Sequence, residues 1–211
     1  MENKPYRTLL KSASDELVIN KSRFICYGSP VDSEDEALGF LKKIRSEHTD
    51  ASHNCYAYAI GPNMGIMRYS DDGEPGGTAG LPIMEVIKAR GITNCILVIT
   101  RYFGGVLLGA GGLVRAYSQS AALAINACGT ASVYPTKKYT VAVSYSMFGK
   151  AEYAIKNLPV IVEDKAFTDK VSVTFLVKTE EAAEVKNAIT TALDGKCAFT
   201  LNGESLLPWK D

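Results

Sequence analysis

Apolar and polar residues alternate along residues 6–31, which predicts two strands, at about 7–12 and 17–30, the second long enough to bend. The spacing then turns helical. Ser33-Glu34-Asp35-Glu36 has the form of a capping box, with Ser33 as N-cap, and opens a helix whose Ala37, Leu41 and Ile44 share one face. Period-two stretches return at 54–60 and 65–70, the second entered through the turn residues Gly61-Pro62-Asn63. Pro82 suits the first position of another helix and Gly91 the position just past its end, with Ile83, Val86, Ile87 and Arg90 at helical spacing between them. Residues 95–100, CILVIT, are continuously apolar and rich in β-branched side chains, as in a strand buried on both faces. The glycine-rich stretch 104–112 leads into a further helix over about 113–128.

Past Gly129 the pattern changes. Strands are predicted at 138–145, 160–166, 170–177 and 197–201. One helix is predicted over 150–157 and another after Thr179, read as its N-cap, with Glu180 and Glu181 in its first turn. The order β-α-β-β-α-β is that of a ferredoxin-like sandwich. The expected fold class is therefore α+β in two domains, residues 1–132 and 133–211.

Composition sharpens this division. The 211 residues carry 23 basic and 23 acidic side chains, so the net charge is zero, and 46% are hydrophobic. These values exclude wholesale disorder and broad electrostatic adhesion to nucleic acid. Each half is neutral by itself, yet all seven arginines, both histidines and 15 of the 18 glycines fall within the first 130 residues. Arginine's planar fork suits phosphate and carboxylate recognition, so chemistry is sought there. The five cysteines form no CxxC pair, which argues against a disulfide framework and a structural zinc site. Met1–Arg7 leads into no signal-like apolar stretch, and no run reaches the length of a membrane span. A cytoplasmic, membrane-free setting is expected.

Three groups of residues carry candidate chemistry. The first is the glycine-rich run after Arg101. Gly104, Gly105, Gly111 and Gly112 lie between a buried strand and a helix, where bare backbone N–H groups can meet an anion. Neither a P-loop nor a dinucleotide fingerprint fits, so no nucleotide cofactor is expected. Arg115, early in the helix, calls for an offsetting negative charge, from a bound phosphate or from Asp71, Asp72 or Glu74. Close glycine packing with an internal salt bridge explains the run equally well.

The second group is the loop 70–80, with three carboxylates and four glycines. It admits a metal site or paired acid–base carboxylates. It also admits the plainer alternative of acids paired with Arg68, Arg101 or Arg115. The third is His53 with Cys55, same-face neighbours on a strand, read as a half-buried histidine and a core cysteine ahead of a nucleophilic pair. Tyr56, Tyr58, Tyr69, Tyr102, Phe103 and Tyr117, interspersed with arginine, can stack bases or fill the core.

Four motifs in order resemble the IMPACT family, in particular its bacterial, YigZ-like branch. They are Lys21-Ser22-Arg23-Phe24-Ile25, His53-Asn54-Cys55-Tyr56-Ala57-Tyr58, the run from Ser70 to Pro82, and the run from Arg101 to Gly109. The resemblance implies a first domain like domain 2 of ribosomal protein S5 and a second like the last domain of elongation factor G. Their setting implies RNA or ribosome association in translation regulation. The N-terminal RWD domain of eukaryotic members, and with it their kinase-regulatory role, is not carried over. No established catalytic residue comes with the family, and no catalytic residue, metal ligand or cofactor is assigned. On this reading Arg68, Arg101, Gly104, Gly105, Gly111, Gly112 and Arg115 are the anion or nucleic-acid contacts, and His53, Asp71, Asp72 and Glu74 a motif surface beside them. The alternative is a metal-dependent hydrolase or transferase acting on a phosphorylated small molecule through those acids.

Overall fold

The computed structural model describes residues 5–210. Residues 1–4 and 211, which include most of the stretch read for a leader and the outer ends of both expected domains, lie outside it. The chain is α+β and divides into two compact units, residues 5–133 with 208–210, and residues 134–207. Among the described residues, no helix is long and apolar enough to cross a membrane.

The first unit is built on an antiparallel sheet of order β2-β3-β6-β4-β5, from β2 (Ala13–Ile19), β3 (Ser22–Pro30), β4 (His53–Ile60), β5 (Ile66–Ser70) and β6 (Cys95–Tyr102). The CILVIT run is the central strand β6, and it is buried on both faces as its composition predicts. Alternate side chains go to opposite sides. Ile96 and Val98 meet Ala37, Leu41 and Ile44 of α1 (Glu34–Glu47). Leu97 and Ile99 meet α2 (Gly80–Ala89) and α3 (Gly109–Cys128), through Ile83, Ile87, Tyr117 and Ala121. The cap of α1 forms as read: Ser33 Oγ accepts from the Glu36 N–H at 3.2 Å, while the Glu36 carboxylate accepts from the Asp32 N–H at 2.8 Å. A short β1 (Tyr6–Leu9) pairs with Thr130–Val133.

Three boundaries differ from the pattern. The single strand predicted over 17–30 is a hairpin. Asn20 (φ 46°) and Lys21 (φ 67°) turn the chain between β2 and β3, the two positive φ angles a right-twisted two-residue loop requires. Helix α2 starts at Gly80, so Pro82 is its third residue, not its first. Helix α3 starts at Gly109, four residues before Leu113, so glycines that read as loop form its first turn.

The second unit has β7 (Thr130–Val143) from Tyr134 onward, α4 (Tyr145–Lys156), β8 (Val160–Phe167), β9 (Val171–Lys178), α5 (Ala182–Ala192) and β10 (Ala198–Lys210). Its strand order β10-β7-β9-β8 is ferredoxin-like. The core is one-sided: Val141, Val143, Val173 and Phe175 pack against Ala151, Ile155, Val185 and Ile189 of the helices. Thr179 does not cap α5. Glu181 holds that position without a side-chain bond, because a tight turn closed by Glu181 N–H to the Lys178 carbonyl comes first.

Candidate functional site

The chemistry of the first unit collects where β4 begins and β6 ends, with His53 opposite Arg101 across the ladder. Leu97, Ile99 and Arg101 project to the same side of β6, so the strand's period carries the arginine into the core, where it is 4% exposed. Its Nη1 donates to Glu74 Oε1 at 2.7 Å and its Nη2 to Ser22 Oγ at 3.1 Å. The guanidinium also lies over the rings of Phe24 and Phe103, 5.4 and 5.5 Å from their centroids. Tyr117 of α3 donates to the same Glu74 oxygen at 2.7 Å. Removing one member of such a buried pair leaves its partner's charge uncompensated, so the set stands or falls together.

Glu74 is delivered by a tightly wound loop. The Asp71 carboxylate accepts from the N–H groups of Gly77, Ala79 and Gly80 at 2.8–3.0 Å and so caps α2, whose N-cap Ala79 has no side chain to do so. Burial pushes the Asp71 carboxyl up, but the three N–H donors outweigh it and hold the group below its usual 3.8. Asp72 pairs with Arg45 at 2.5 Å and accepts from the Asn54 N–H at 2.7 Å. The Asp72 carbonyl lies 2.8 Å from His53 Nδ1. A carbonyl only accepts, so Nδ1 carries the hydrogen and Nε2 faces Glu74 Oε2, 3.9 Å away.

Cys55 is fully buried, its thiol against the Asp71 carbonyl and the Tyr117 hydroxyl. Burial, with Glu74, Asp72 and Asp71 nearby, pushes that thiol far above the ordinary cysteine range, so it packs and is not a ready nucleophile. Burial also raises the Tyr117 hydroxyl, which stays protonated and donating. All five cysteines are free thiols.

Beside this centre opens a cleft of ≈ 360 Å³, bordered by His53, Glu74, Arg101, Phe103, Leu107 and the start of α3 at Gly109. Phe103 is 48% and Leu107 84% exposed on its lip. The N-cap of α3, Leu108, makes no side-chain bond, and the first turn carries no acid, so its N–H groups stay open at the cleft edge. A larger hollow of ≈ 670 Å³ in the second unit, along α4 and β8, holds none of the motif residues.

The structure brings His53, Glu74 and Arg101 together and redistributes the other expected residues. Arg101 is a buried organiser, not a surface contact. Gly104 serves packing: a Cβ there would collide with the Lys21 carbonyl group, and its N–H donates to Ser22 Oγ at 3.3 Å. Gly105 supplies a positive φ of 80°, while Gly111 and Gly112 belong to the first turn of α3. Arg68 lies on the α1 face, opposite Arg101, with Nε 4.0 Å from Glu34. Arg23 pairs with Glu16 and Arg45 with Asp72, so neither joins Arg101 at the site. Arg115 is exposed and reaches back over Gly111; among the described residues it meets no carboxylate.

The acids of the loop each have a different partner, Asp71 the backbone, Asp72 Arg45, and Glu74 Arg101 with Tyr117. Among the described residues no group of three His, Cys, Asp or Glu side chains is placed to hold a metal. Of the aromatics, Tyr58 and Tyr117 are core residues. Two members of the site went unassigned from sequence, Ser22 and Tyr117. Tyr117 falls on the apolar side of the α3 wheel, which signals its inward direction but not its bond. Ser22 carries no signal until the hairpin is known.

A layered α+β unit holding such a buried polar centre, followed by a ferredoxin-like unit, defines the class. The family model for the Impact N-terminal domain matches residues 20–125, and that for a domain of unknown function, DUF1949, matches residues 141–196. The chain is 38% identical over 191 residues to the IMPACT family member YvyE of Bacillus subtilis (strain 168), covering 90% of this chain and 88% of that protein. It is 39% identical over 129 residues to the IMPACT family member YigZ of Escherichia coli (strain K12), covering 60% and 63% respectively. A crystal structure of a hypothetical protein, 28% identical, aligns with a TM-score of 0.60 over 96% of this chain and 99% of the other. The chain belongs to the IMPACT family.

Proposed function

We propose that this protein is a translation-associated regulatory protein that binds RNA or the ribosome through its first unit, and that the start of α3, at the edge of the cleft, makes the contact. The observation that carries this reading is Arg115. Its guanidinium lies against the first turn of an uncapped twenty-residue helix, a pairing of like charge that disfavours the free protein and that a phosphate offsets. Phe103 on the lip offers a face for a base. The acids of the neighbouring loop are occupied in holding the fold, and the one cysteine at the centre is locked as a thiol, which suits binding more than turnover. The family's ribosome-related domain resemblances point the same way.

The test is co-sedimentation with ribosomes and filter binding of RNA, comparing wild type with Arg115→Ala. The variant is expected to bind about tenfold more weakly, with a salt dependence shallower by about one unit. Unchanged binding and slope would remove the first turn of α3 from the contact.

A further inference from the structure

Arg101 commits two of its three guanidinium nitrogens to the fold, Nη1 to Glu74 and Nη2 to Ser22. Its Nε is buried and has no hydrogen-bond partner, on a side chain that is 5% exposed. A charged donor left in that state costs free energy, and native interiors keep few of them. Arg101 borders the cleft, so the cleft is the space from which an acceptor can reach that N–H. A second set of donors comes from a different element. Gly109 and Ala110, the first two residues of α3, border the same cleft. The N-cap Leu108 makes no side-chain bond and the first turn carries no acid, so the leading N–H groups add partial positive charge there. Glu74, the single acid bordering the cleft among the described residues, receives Arg101 and Tyr117 at Oε1, which offsets its charge before a ligand arrives.

We propose that the cleft receives the terminal phosphate of an RNA strand, which deepens and rests on the RNA reading above; a free mononucleotide offers the same group. Donors reach the cleft from two elements, its inner wall and the helix start. A tetrahedral phosphate has oxygens to face both, whereas a carboxylate holds its two in one plane. Space makes the phosphate a terminal one. Arg101 is 4% exposed, so its donor is met only by a group that enters the cleft, and ≈ 360 Å³ holds about one nucleotide. An internal phosphodiester would have to bring chain in on both sides, a terminal monoester on one. The monoester also carries more charge, about −1.5 to −2 near neutral pH. Phe103, Leu107 and Leu113 make the rest of the wall apolar, which suits the base beside that phosphate. Arg115 does not border the cleft, and on this arrangement it meets the chain further along.

The experiment compares short single-stranded RNAs of one sequence, ending in phosphate or hydroxyl at either end, with titration calorimetry of adenosine 5′-monophosphate and adenosine up to millimolar concentration alongside. Phosphate at one end is expected to tighten RNA binding at least about tenfold, and the monophosphate to exceed its nucleoside by as much. Ala110→Asp places a carboxylate at an exposed position in the first turn of α3, where it favours the helix, and is expected to keep the fold and abolish the preference. Arg101→Lys keeps a cation opposite Glu74 but lacks the Nε donor, and is expected to lose the preference too. Circular dichroism checks both folds, and Ala110→Asp decides alone where Arg101→Lys unfolds. Arg115→Ala is expected to weaken all the RNAs alike. Equal binding of phosphate-ended and hydroxyl-ended RNA overturns the cleft site and leaves the RNA reading standing. A preference that Ala110→Asp leaves intact also overturns the site. The monophosphate bound over its nucleoside by a protein that ignores RNA leaves the site standing, assigns it to the free nucleotide and removes the RNA reading.

Discussion

The two units solve the same packing problem with different interiors. In the second, the core between sheet and helices is hydrocarbon, from Val141 to Ile189, and its ion pairs, such as Lys138–Glu163 and Lys165–Glu152, sit at the surface. In the first, an ion pair, a hydroxyl and a tyrosine are buried at the end of a sheet that also buries a hydrogen-bonded Asn54–Thr100 pair. A layered α+β unit needs no such centre in order to fold, as its neighbour in the same chain demonstrates. Burying charge costs desolvation that only a complete set of partners offsets. The centre therefore has to be explained by what it faces, which is the cleft.

Breaking the buried pair gives the largest expected contrast. Arg101→Ala leaves Glu74 buried without its cation and is expected to destabilise the first unit by about 3–5 kcal/mol. Lys165→Ala in the second unit removes an exposed pair and is expected to cost at most about 1 kcal/mol. Urea unfolding of both variants checks this, and similar losses would erase the distinction between the units.

Gly104→Ala comes next. Its methyl must displace the Asn20–Lys21 turn, an overpacking cost of about 1–3 kcal/mol, measured in the same way. Asp71→Ala removes the acceptor of three loop N–H groups and is expected to cost about 1–2 kcal/mol at neutral pH. Because the folded carboxyl lies below its usual 3.8, this contribution is complete well above that value and fades as pH falls through the lowered one. Wild type and variant should therefore converge in stability under acid, and a gap that persists at low pH would assign the effect to packing instead. The smallest stability effect is expected for Arg115→Ala, within about 0.5 kcal/mol, although it should lower RNA binding about tenfold. A large stability loss would return Arg115 to the scaffold.

Much of the scaffold is written in local pattern. The Ser33–Glu36 cap, the CILVIT strand and the glycine that ends α2 each rest on a signal a few residues long, and each appears in the structure. The hairpin at Asn20-Lys21 escapes because neither residue is glycine and the strand pattern runs through it. The start of α3 escapes because glycines without side chains show no helical period. At the site, period two already implies that Arg101 follows Leu97 and Ile99 inward. An arginine count over half the chain cannot show it, since composition carries no direction. What no local signal holds is the meeting of Ser22, Glu74, Arg101 and Tyr117, drawn from segments up to 95 positions apart.

One guanidinium that holds the fold with two nitrogens and leaves the third to the cleft makes occupancy a thermodynamic quantity of the whole first unit. An acceptor bound at Nε is attached to the group that also fastens β6 to Ser22 and Glu74, and it has no counterpart in the unfolded chain. At a hundred times its Kd such a ligand raises the unfolding free energy by about 2.7 kcal/mol. Melting temperature is then a direct report of what the cleft accepts.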